Sequence, residues 1–132
     1  MFIVTGATGF IGSAMIWELN RRGIHKIIAV DTVPPEKRSF FEQLTVQDFI
    51  QADEFLDRVQ KDRDLPKLQA VFHMGACSST TEMDEDFLRK NNTEYSQYIF
   101  DFCARRQTPL IYASSGAVYG NGSQGFDDNT PC

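Results

Sequence analysis

The sequence predicts an α/β fold in which helices cover both faces of a parallel β-sheet. Short apolar runs typical of buried strands alternate along the chain with longer segments whose apolar residues recur at helical spacing. Parallel strands need crossover connections, and these are nearly always right-handed. Helices that alternate with strands supply such connections, so the order of the elements itself predicts the layered sheet.

Length and composition limit the class of protein. The chain has 132 residues, of which 42% are hydrophobic and 23% charged, and this indicates one folded domain of ordinary size. A net charge of -5 without a stripe of basic residues argues against a nucleic-acid partner. No long apolar run or signal sequence occurs, so we expect no membrane span and a cytoplasmic location. The three cysteines lack metal-ligand spacing, which predicts no metal site and suits a reducing compartment.

The first part of the chain predicts two strands separated by a helix. Residues 2–5 form a short apolar strand that stops at Gly6. Helical spacing begins at Phe10 and ends in 21-RRG-23, basic residues followed by a glycine. Residues 26–30 form the second strand, and the paired prolines within 32–38 predict a loop without regular structure.

Three more strands and two helices follow. We predict the third strand over 44–50, an amphipathic helix over 51–61 and the fourth strand over 69–74. One long helix is predicted over 84–106, and a fifth, buried strand over 109–114. The long helix is expected to present Phe87, Leu88, Tyr95, Ile99, Phe102 and Cys103 on one side.

The run 6-GATGFIG-12 lies between the first strand and the first helix, the context that a dinucleotide site requires. Gly6 permits the tight turn, Gly9 lets the backbone approach a pyrophosphate, and Gly12 allows close packing of helix and strand. The alternative is that these glycines only shape a turn. We therefore predict a Rossmann-like, doubly wound sheet of about five strands that binds NAD or NADP, with residues 1–132 as one dinucleotide-binding domain.

Asp31 ends the second strand, nineteen residues after Gly12. A carboxylate there can accept hydrogen bonds from the adenosine ribose, or it can simply cap a loop. Asp31 normally favours a free 2′-hydroxyl, but Lys37 and Arg38 follow it and could bind a 2′-phosphate. These residues leave the choice between NAD and NADP open.

The segment 73-HMGACSSTTEMD-84 joins the fourth strand to the long helix at the carboxyl edge of the sheet, where open α/β folds bind ligands. Gly75 and Ala76 would let a cofactor approach the backbone. Hydroxyls suited to a sugar or a phosphate follow in Ser78, Ser79, Thr80 and Thr81. Helix capping explains much of the same segment, because Ser79 and Glu82 form a capping box and Asp84 suits a helix start. We predict that the segment both contacts a ligand and caps the helix.

His73 has no ligand partner at metal spacing and is expected to be structural.

The runs 5-TGATGFIGS-13 and 113-ASSGAVYG-120 resemble the extended short-chain dehydrogenase/reductase family, in which many nucleotide-sugar epimerases and dehydratases share them. The segment at 73–84, followed by 91-NNTEYS-96, is similar to the ADP-heptose epimerases of that family. The resemblance implies NADP as cofactor. We also expect a homo-oligomer, because the last strand leaves a sheet edge uncovered. The resemblance also implies oxidation of the heptose C6 and re-reduction from the other face, which interconverts ADP-D-glycero- and ADP-L-glycero-D-manno-heptose for lipopolysaccharide synthesis.

The same resemblance assigns roles to residues of this chain. Thr32 and Met74 depart from the family pattern, which usually has asparagine and glutamate there. Ser115 would be the catalytic hydroxyl on the substrate side, with Ser79 and Thr80 contacting the substrate, while Ser114 closes the fifth strand. The implied cofactor contacts are Gly6, Gly9, Phe10, Ile11, Gly12, Asp31, Thr32, Lys37, Arg38, Met74, Gly75, Ala76, Cys77, Ser78 and Asn91.

The family's catalytic tyrosine and lysine form a YxxxK pattern, which places both on one face of a helix so that the lysine lowers the pKa of the tyrosine. The residues four places after Tyr95, Tyr98, Tyr112 and Tyr119 are Ile99, Phe102, Gly116 and Ser123. We therefore expect a chain that is truncated before the YxxxK segment and inactive alone, with an unpaired sheet edge that favours self-association. A noncatalytic dinucleotide-binding module and another nucleotide-sugar epimerase or dehydratase are the alternatives.

Overall fold

The computed structural model describes residues 1–77, 83–123 and 125–127, and these residues show the predicted alternation of strands and helices. The strands are β1 (Phe2–Thr5), β2 (Ile27–Asp31), β3 (Asp48–Gln51), β4 (Ala70–His73) and β5 (Leu110–Tyr112). The helices are α1 (Phe10–Arg21), α2 (Ala52–Lys61), α3 (Glu85–Leu88) and α4 (Tyr95–Arg105). A π-helical segment, Arg89–Glu94, joins α3 to α4 and is called the π turn below. Short 3-10 helices cover Pro35–Lys37, Ser39–Gln43 and Gly116–Tyr119.

Within the described residues the five strands form one parallel sheet in the order β3-β2-β1-β4-β5, which confirms the Rossmann-like α/β prediction. The central strand β1 places Thr5 opposite Val30 of β2 and opposite His73 of β4. The strand order reverses between β1 and β4, so the loops that follow these two strands leave the sheet side by side. A crevice at such a reversal is the place where open α/β sheets bind ligands.

Apolar side chains cover both faces of this sheet. On one face Ile3 of β1 packs with Phe55 and Val59 of α2 and with Ile99 and Phe102 of α4. On the other face the neighbouring Val4 belongs to a second cluster that includes Ile16 and Leu19 of α1 and Phe41. Successive residues of a strand point to opposite faces, so β1 serves both layers, as expected of a strand buried on both sides.

The third strand begins later than predicted, at Asp48 and not at residue 44. The reason is a side chain from α1: Asn20 donates to the carbonyl of Thr45 at 2.8 Å and accepts from its N–H at 2.7 Å. Because this pair occupies both peptide groups of Thr45, that residue cannot join the ladder with β2. The predicted unstructured loop at 32–38 likewise contains a 3-10 turn, since Pro35 stands at its first position, where proline is tolerated.

The sequence predicts one regular helix over 84–106, and this prediction is wrong. The π turn interrupts the helix between α3 and α4. A π turn accommodates an extra residue and rotates the helix face, so Phe87 before it is 42% exposed while Ile99 after it is fully buried. The fifth strand was predicted to be buried through residue 114. It ends at Tyr112, and Ile111 and Tyr112 are exposed, because among the described residues β5 pairs only with β4.

Two kinds of feature are missing from the described part of the chain. None of its helices has the length and apolar character needed to cross a membrane. The same residues contain no cluster of three or more histidine, cysteine, aspartate or glutamate side chains able to hold a metal ion.

Candidate functional site

The loop after β1 and the loop after β4 touch at the crevice, and only glycine fits at the contact. Gly6 has a φ of +63°, and a Cβ added to it would lie 2.8 Å from the Cα of Gly75. A Cβ added to Gly75 would in turn lie 2.9 Å from the nitrogen of Gly6. Real Cβ atoms essentially never lie this close to other atoms, so any other residue at either position would force the two backbones apart.

The start of α1 opens into this crevice without a capping side chain. Gly9 is the N-cap, no side chain caps the helix and its first turn contains no acidic residue. Phe10 is 91% exposed and Ile11 is 58% exposed, so the helix begins at the surface. Uncapped N–H groups at a helix N-terminus favour anionic oxygen atoms, which is the property that a pyrophosphate needs.

Asp31 holds the loop after β1, residues 6–9, called the glycine loop below, against the end of β2. Its Oδ2 accepts from the N–H of Thr8 at 2.9 Å. Its Oδ1 accepts from the N–H groups of Thr32 at 2.7 Å and Val33 at 3.1 Å, and from the Thr32 hydroxyl at 3.4 Å. The loop-capping role considered for Asp31 is therefore present. A carboxylate oxygen offers about two acceptor positions, and Oδ2 accepts only from Thr8 among the described residues, so it can still accept from a ribose hydroxyl and the two roles are compatible.

An open groove of about 530 Å³ runs beside the glycine loop. Its lining is partly aromatic and includes one cation, Arg38. Lys37 precedes Arg38 on the exposed chain, and no carboxylate of the described residues lies within 4.0 Å of either side chain. The lining residues are Thr8, Gly9, Phe10, Ser13, Ala14, Trp17, Arg38, Phe40, Gln43 and Leu44.

Behind the crevice a buried hydrogen-bond network joins β1, β4 and α4. The N–H of Gly75 donates to Oγ1 of Thr5 at 3.1 Å, and this oxygen lies 2.6 Å from Nδ1 of His73. The other ring nitrogen, Nε2, lies 2.9 Å from Oγ of Ser96, which donates to the carbonyl of Asn92 at 2.6 Å. Both ring nitrogens of His73 thus take part in hydrogen bonds of the fold, and the structural role of this residue stays a prediction.

The network determines which nitrogen of His73 carries the proton. The hydroxyl hydrogen of Ser96 is used on a carbonyl, which only accepts, so Oγ of Ser96 must accept from Nε2–H of His73. Nδ1 is then an acceptor, and the hydroxyl of Thr5 donates to it. Burial lowers the pKa of His73 from 6.5 to about 4, which agrees with a neutral ring.

The remaining expected cofactor contacts are spread around the crevice. Met74 donates its N–H to the carbonyl of Thr5 at 3.3 Å, and Ala76 is exposed. The peptide of Cys77 is bonded to Asn92, and the side chain of Asn91 donates to the carbonyl of Phe87 at 2.8 Å. Ser78, Ser79 and Thr80 lie outside the described residues. The sequence pattern alone did not predict roles for Thr5, Asn92 or Ser96. Asn92 and Ser96 lie within the run 91-NNTEYS-96, which was the available signal for them.

Ser115 lies on the other side of β4 from the glycine loop. Its exposed Oγ accepts from the N–H of Ala117 at 3.1 Å and thereby caps the 3-10 turn Gly116–Tyr119. Ser114 is exposed and follows the strand without being part of it, contrary to the predicted strand end. Three inter-strand spacings separate β2 from β5, about 14 Å, so Asp31 and Ser115 can meet only opposite ends of an extended ligand.

Comparison with protein families gives a match over nearly the whole chain. The NAD dependent epimerase/dehydratase family matches residues 2–132. ADP-L-glycero-D-manno-heptose-6-epimerase of Nitratidesulfovibrio vulgaris is 47% identical over 131 residues, which are 98% of this chain and 40% of that protein. The protein of the same name from Alkalilimnicola ehrlichii is 46% identical over 124 residues, 93% of this chain and 39% of that protein. The chain thus spans about two fifths of the length of the curated relatives it matches. These relatives confirm the resemblance inferred from residues 73–84.

Solved structures give the same fold. The Helicobacter pylori ADP-L-glycero-D-manno-heptose-6-epimerase superposes with a TM-score of 0.74 at 22% identity, over 91% of this chain and 40% of that one. UDP-glucose 4-epimerase from Brucella ovis in complex with NAD superposes with a TM-score of 0.71 at 26% identity, over 92% of this chain and 38% of that one.

Proposed function

This chain belongs to the NAD dependent epimerase/dehydratase family, and from that premise we propose that it holds the dinucleotide of an epimerase acting on ADP-heptose. The observation that carries the proposal is the contact of Gly6 with Gly75 beside the uncapped start of α1. The space that side chains would fill elsewhere is left open there, which suits a pyrophosphate lying against backbone. The names of the curated relatives support ADP-heptose as the sugar nucleotide.

The chain's own residues would divide the work of binding. When bound, the nicotinamide dinucleotide supplies a hydride acceptor that later returns the hydride to the sugar. The first N–H groups of α1 would bind the pyrophosphate, and the remaining acceptor position of Asp31 would bind a ribose hydroxyl. Ser115 would offer its hydroxyl hydrogen to the sugar, because its oxygen already accepts from Ala117.

We further propose that NADP is the preferred cofactor. Arg38 lines the groove beside the glycine loop, and no carboxylate of the described residues pairs with it. A guanidinium that forms no ion pair with the described residues is suited to a phosphate, which it can bind through two parallel hydrogen bonds. Lys37 would add attraction at longer range.

Binding titrations of NADP⁺ and NAD⁺ test the cofactor proposal. We expect Arg38→Ala to weaken NADP⁺ binding about 10- to 100-fold, the loss expected for a charge-assisted hydrogen bond, and to leave NAD⁺ binding unchanged. Lys67→Ala, which removes an exposed cation far along the sequence from the groove, is the matched control and should behave as the wild type. Equal affinities of Arg38→Ala and wild type for NADP⁺ would contradict the proposal.

Incubation of the chain with NADP⁺ and ADP-heptose tests the catalytic part. We expect binding without epimerisation, because no tyrosine of this sequence has a lysine four residues later. Epimer formation followed by NMR at an ordinary enzymatic rate would show that other residues supply the base.

A further inference from the structure

Asn92 binds both peptide groups of Cys77 in the loop after β4. Its Oδ1 accepts from the N–H of Cys77 at 2.7 Å, and its Nδ2 donates to the carbonyl of Cys77 at 3.0 Å. The carboxamide therefore pairs with this residue much as a neighbouring strand would. Residues 74–77, called the β4 loop here, contain both this peptide and Gly75, which touches Gly6.

The π turn is what brings Asn92 to this position. Asn92 lies within it, between α3 and α4, and π turns often mark functional sites because they redirect side chains from the regular helical face. The backbone carbonyl of Asn92 accepts from Ser96, which is bonded to His73 at the end of β4. Asn92 is therefore anchored to the strand from which the β4 loop departs.

A second asparagine of the chain makes the same kind of pair away from the crevice. Asn20 bonds the N–H and the carbonyl of Thr45 at 2.7 and 2.8 Å, where it delays the start of β3. The two pairs are chemically alike, but only that of Asn92 holds a segment in contact with the glycine loop. Their comparison separates an effect on the crevice from an effect on stability.

We propose that Asn92 is a positioning residue for the dinucleotide, holding the β4 loop in the conformation that faces the glycine loop. This inference rests on the proposed function. Without the carboxamide the peptide of Cys77 would bond to water, and the close contact of Gly75 with Gly6 would lose its support on that side. The side chain of the neighbouring Asn91 does not reach Cys77 in this way, since it donates to the carbonyl of Phe87 in α3.

Amide hydrogen exchange and dinucleotide titration test the proposal together. In Asn92→Leu we expect exchange of the Cys77 amide to accelerate at least about tenfold while the buried strand amides of Ile3 and Val71 stay protected. The same variant should bind NADP⁺ about tenfold more weakly. Asn20→Leu, the matched control, should lose stability but keep wild-type exchange at Cys77 and wild-type affinity. Asn92→Asp keeps the acceptor for the Cys77 N–H and should lie between wild type and Asn92→Leu in affinity.

The outcomes distinguish this inference from the proposed function. Wild-type affinity in Asn92→Leu would overturn the inference alone, as would an equal loss of affinity in Asn20→Leu, which would mark a global effect. If Asn92→Leu does not fold, an affinity of Asn92→Asp equal to that of wild type would also overturn it. If the wild-type chain binds neither NADP⁺ nor NAD⁺, the proposed function fails, and the positioning role fails with it.

Discussion

At the scale of single residues, His73 shows how burial and hydrogen bonding select one chemical form. The ring is 3% exposed and its two nitrogens bond to Thr5 and Ser96, with no acidic side chain among these partners. Desolvation therefore dominates, and it lowers the pKa from 6.5 to about 4. A neutral histidine with a proton on Nε2 satisfies every bond of the network, which is why the site needs no counter-ion.

This state predicts a pH dependence of stability. The folded pKa lies below the unfolded one, so the contribution of His73 is fully present above pH 6.5 and is lost as the pH falls from 6.5 to about 4. The loss amounts to at most about 3 kcal/mol, from 1.36 kcal/mol per pKa unit.

We expect His73→Gln to show a shallower decrease in unfolding free energy than wild type between about pH 7 and about pH 4.5, measured with urea. His25→Gln, which changes the exposed histidine, should retain the wild-type decrease. The same decrease in unfolding free energy with falling pH in wild type and His73→Gln would contradict a neutral, buried His73.

At the scale of elements, the approach of α1 to β1 depends on the absence of a side chain at Gly12. A Cβ there would overlap the carbonyl oxygen of Gly6 and lie 2.9 Å from the Cα of Ala7, and both are backbone atoms that cannot rotate away. The helix would have to move outward, and its uncapped N-terminus would move with it. Packing and the candidate pyrophosphate site therefore depend on the same residue.

We expect Gly12→Ala to destabilise the fold by about 2 kcal/mol or more, the range of overpacked core positions, and to weaken NADP⁺ binding in parallel. Gly116→Ala is the matched control, because a Cβ on Gly116 meets nothing within 4 Å. Its unfolding free energy should stay within about 0.5 kcal/mol of wild type. Thermal or urea unfolding measures the stability of both variants. An unfolding free energy of Gly12→Ala equal to that of wild type would show that α1 can shift without destabilising the fold.

At the scale of the whole molecule, β5 exposes two apolar side chains at an edge of the sheet. Ile111 is 44% exposed and Tyr112 is also exposed, and among the described residues β5 has only β4 as a partner. An unpaired edge with apolar side chains favours association with another chain. Self-association through this edge was expected from the sequence and stays a prediction.

A charge on the edge strand should interfere with that association. We expect sedimentation velocity to show concentration-dependent association of the wild type and a shift of Ile111→Lys towards monomer, since edge lysines oppose strand pairing. Val118→Lys is the control, because Val118 is 50% exposed but lies in a 3-10 turn and not on the strand. Association unchanged in Ile111→Lys would place the contact elsewhere, for example on the exposed aromatic residues around the groove.

Local patterns in the sequence determined most of the architecture. Apolar runs and helical spacing predicted the order of the elements, and α1 and β1 lie where expected, because these patterns depend on residues within a turn or two of each other. The glycine spacing in 6–12 likewise predicted the tight turn after β1, since a positive φ and close backbone contact require glycine wherever they occur.

Contacts between residues distant in sequence decided the rest. The start of β3 depends on Asn20 reaching Thr45, 25 residues away, and the β4 loop depends on Asn92, 15 residues from Cys77. The tautomer of His73 depends on Ser96, 23 residues away, and the exposure of β5 depends on its pairing only with β4 among the described residues. The sequence by itself therefore determined the strand and helix order and the glycine-lined turn, because short-range sterics and periodicity specify them. Only the tertiary structure decided which buried polar groups meet, because each such bond needs two segments that only the completed sheet brings together.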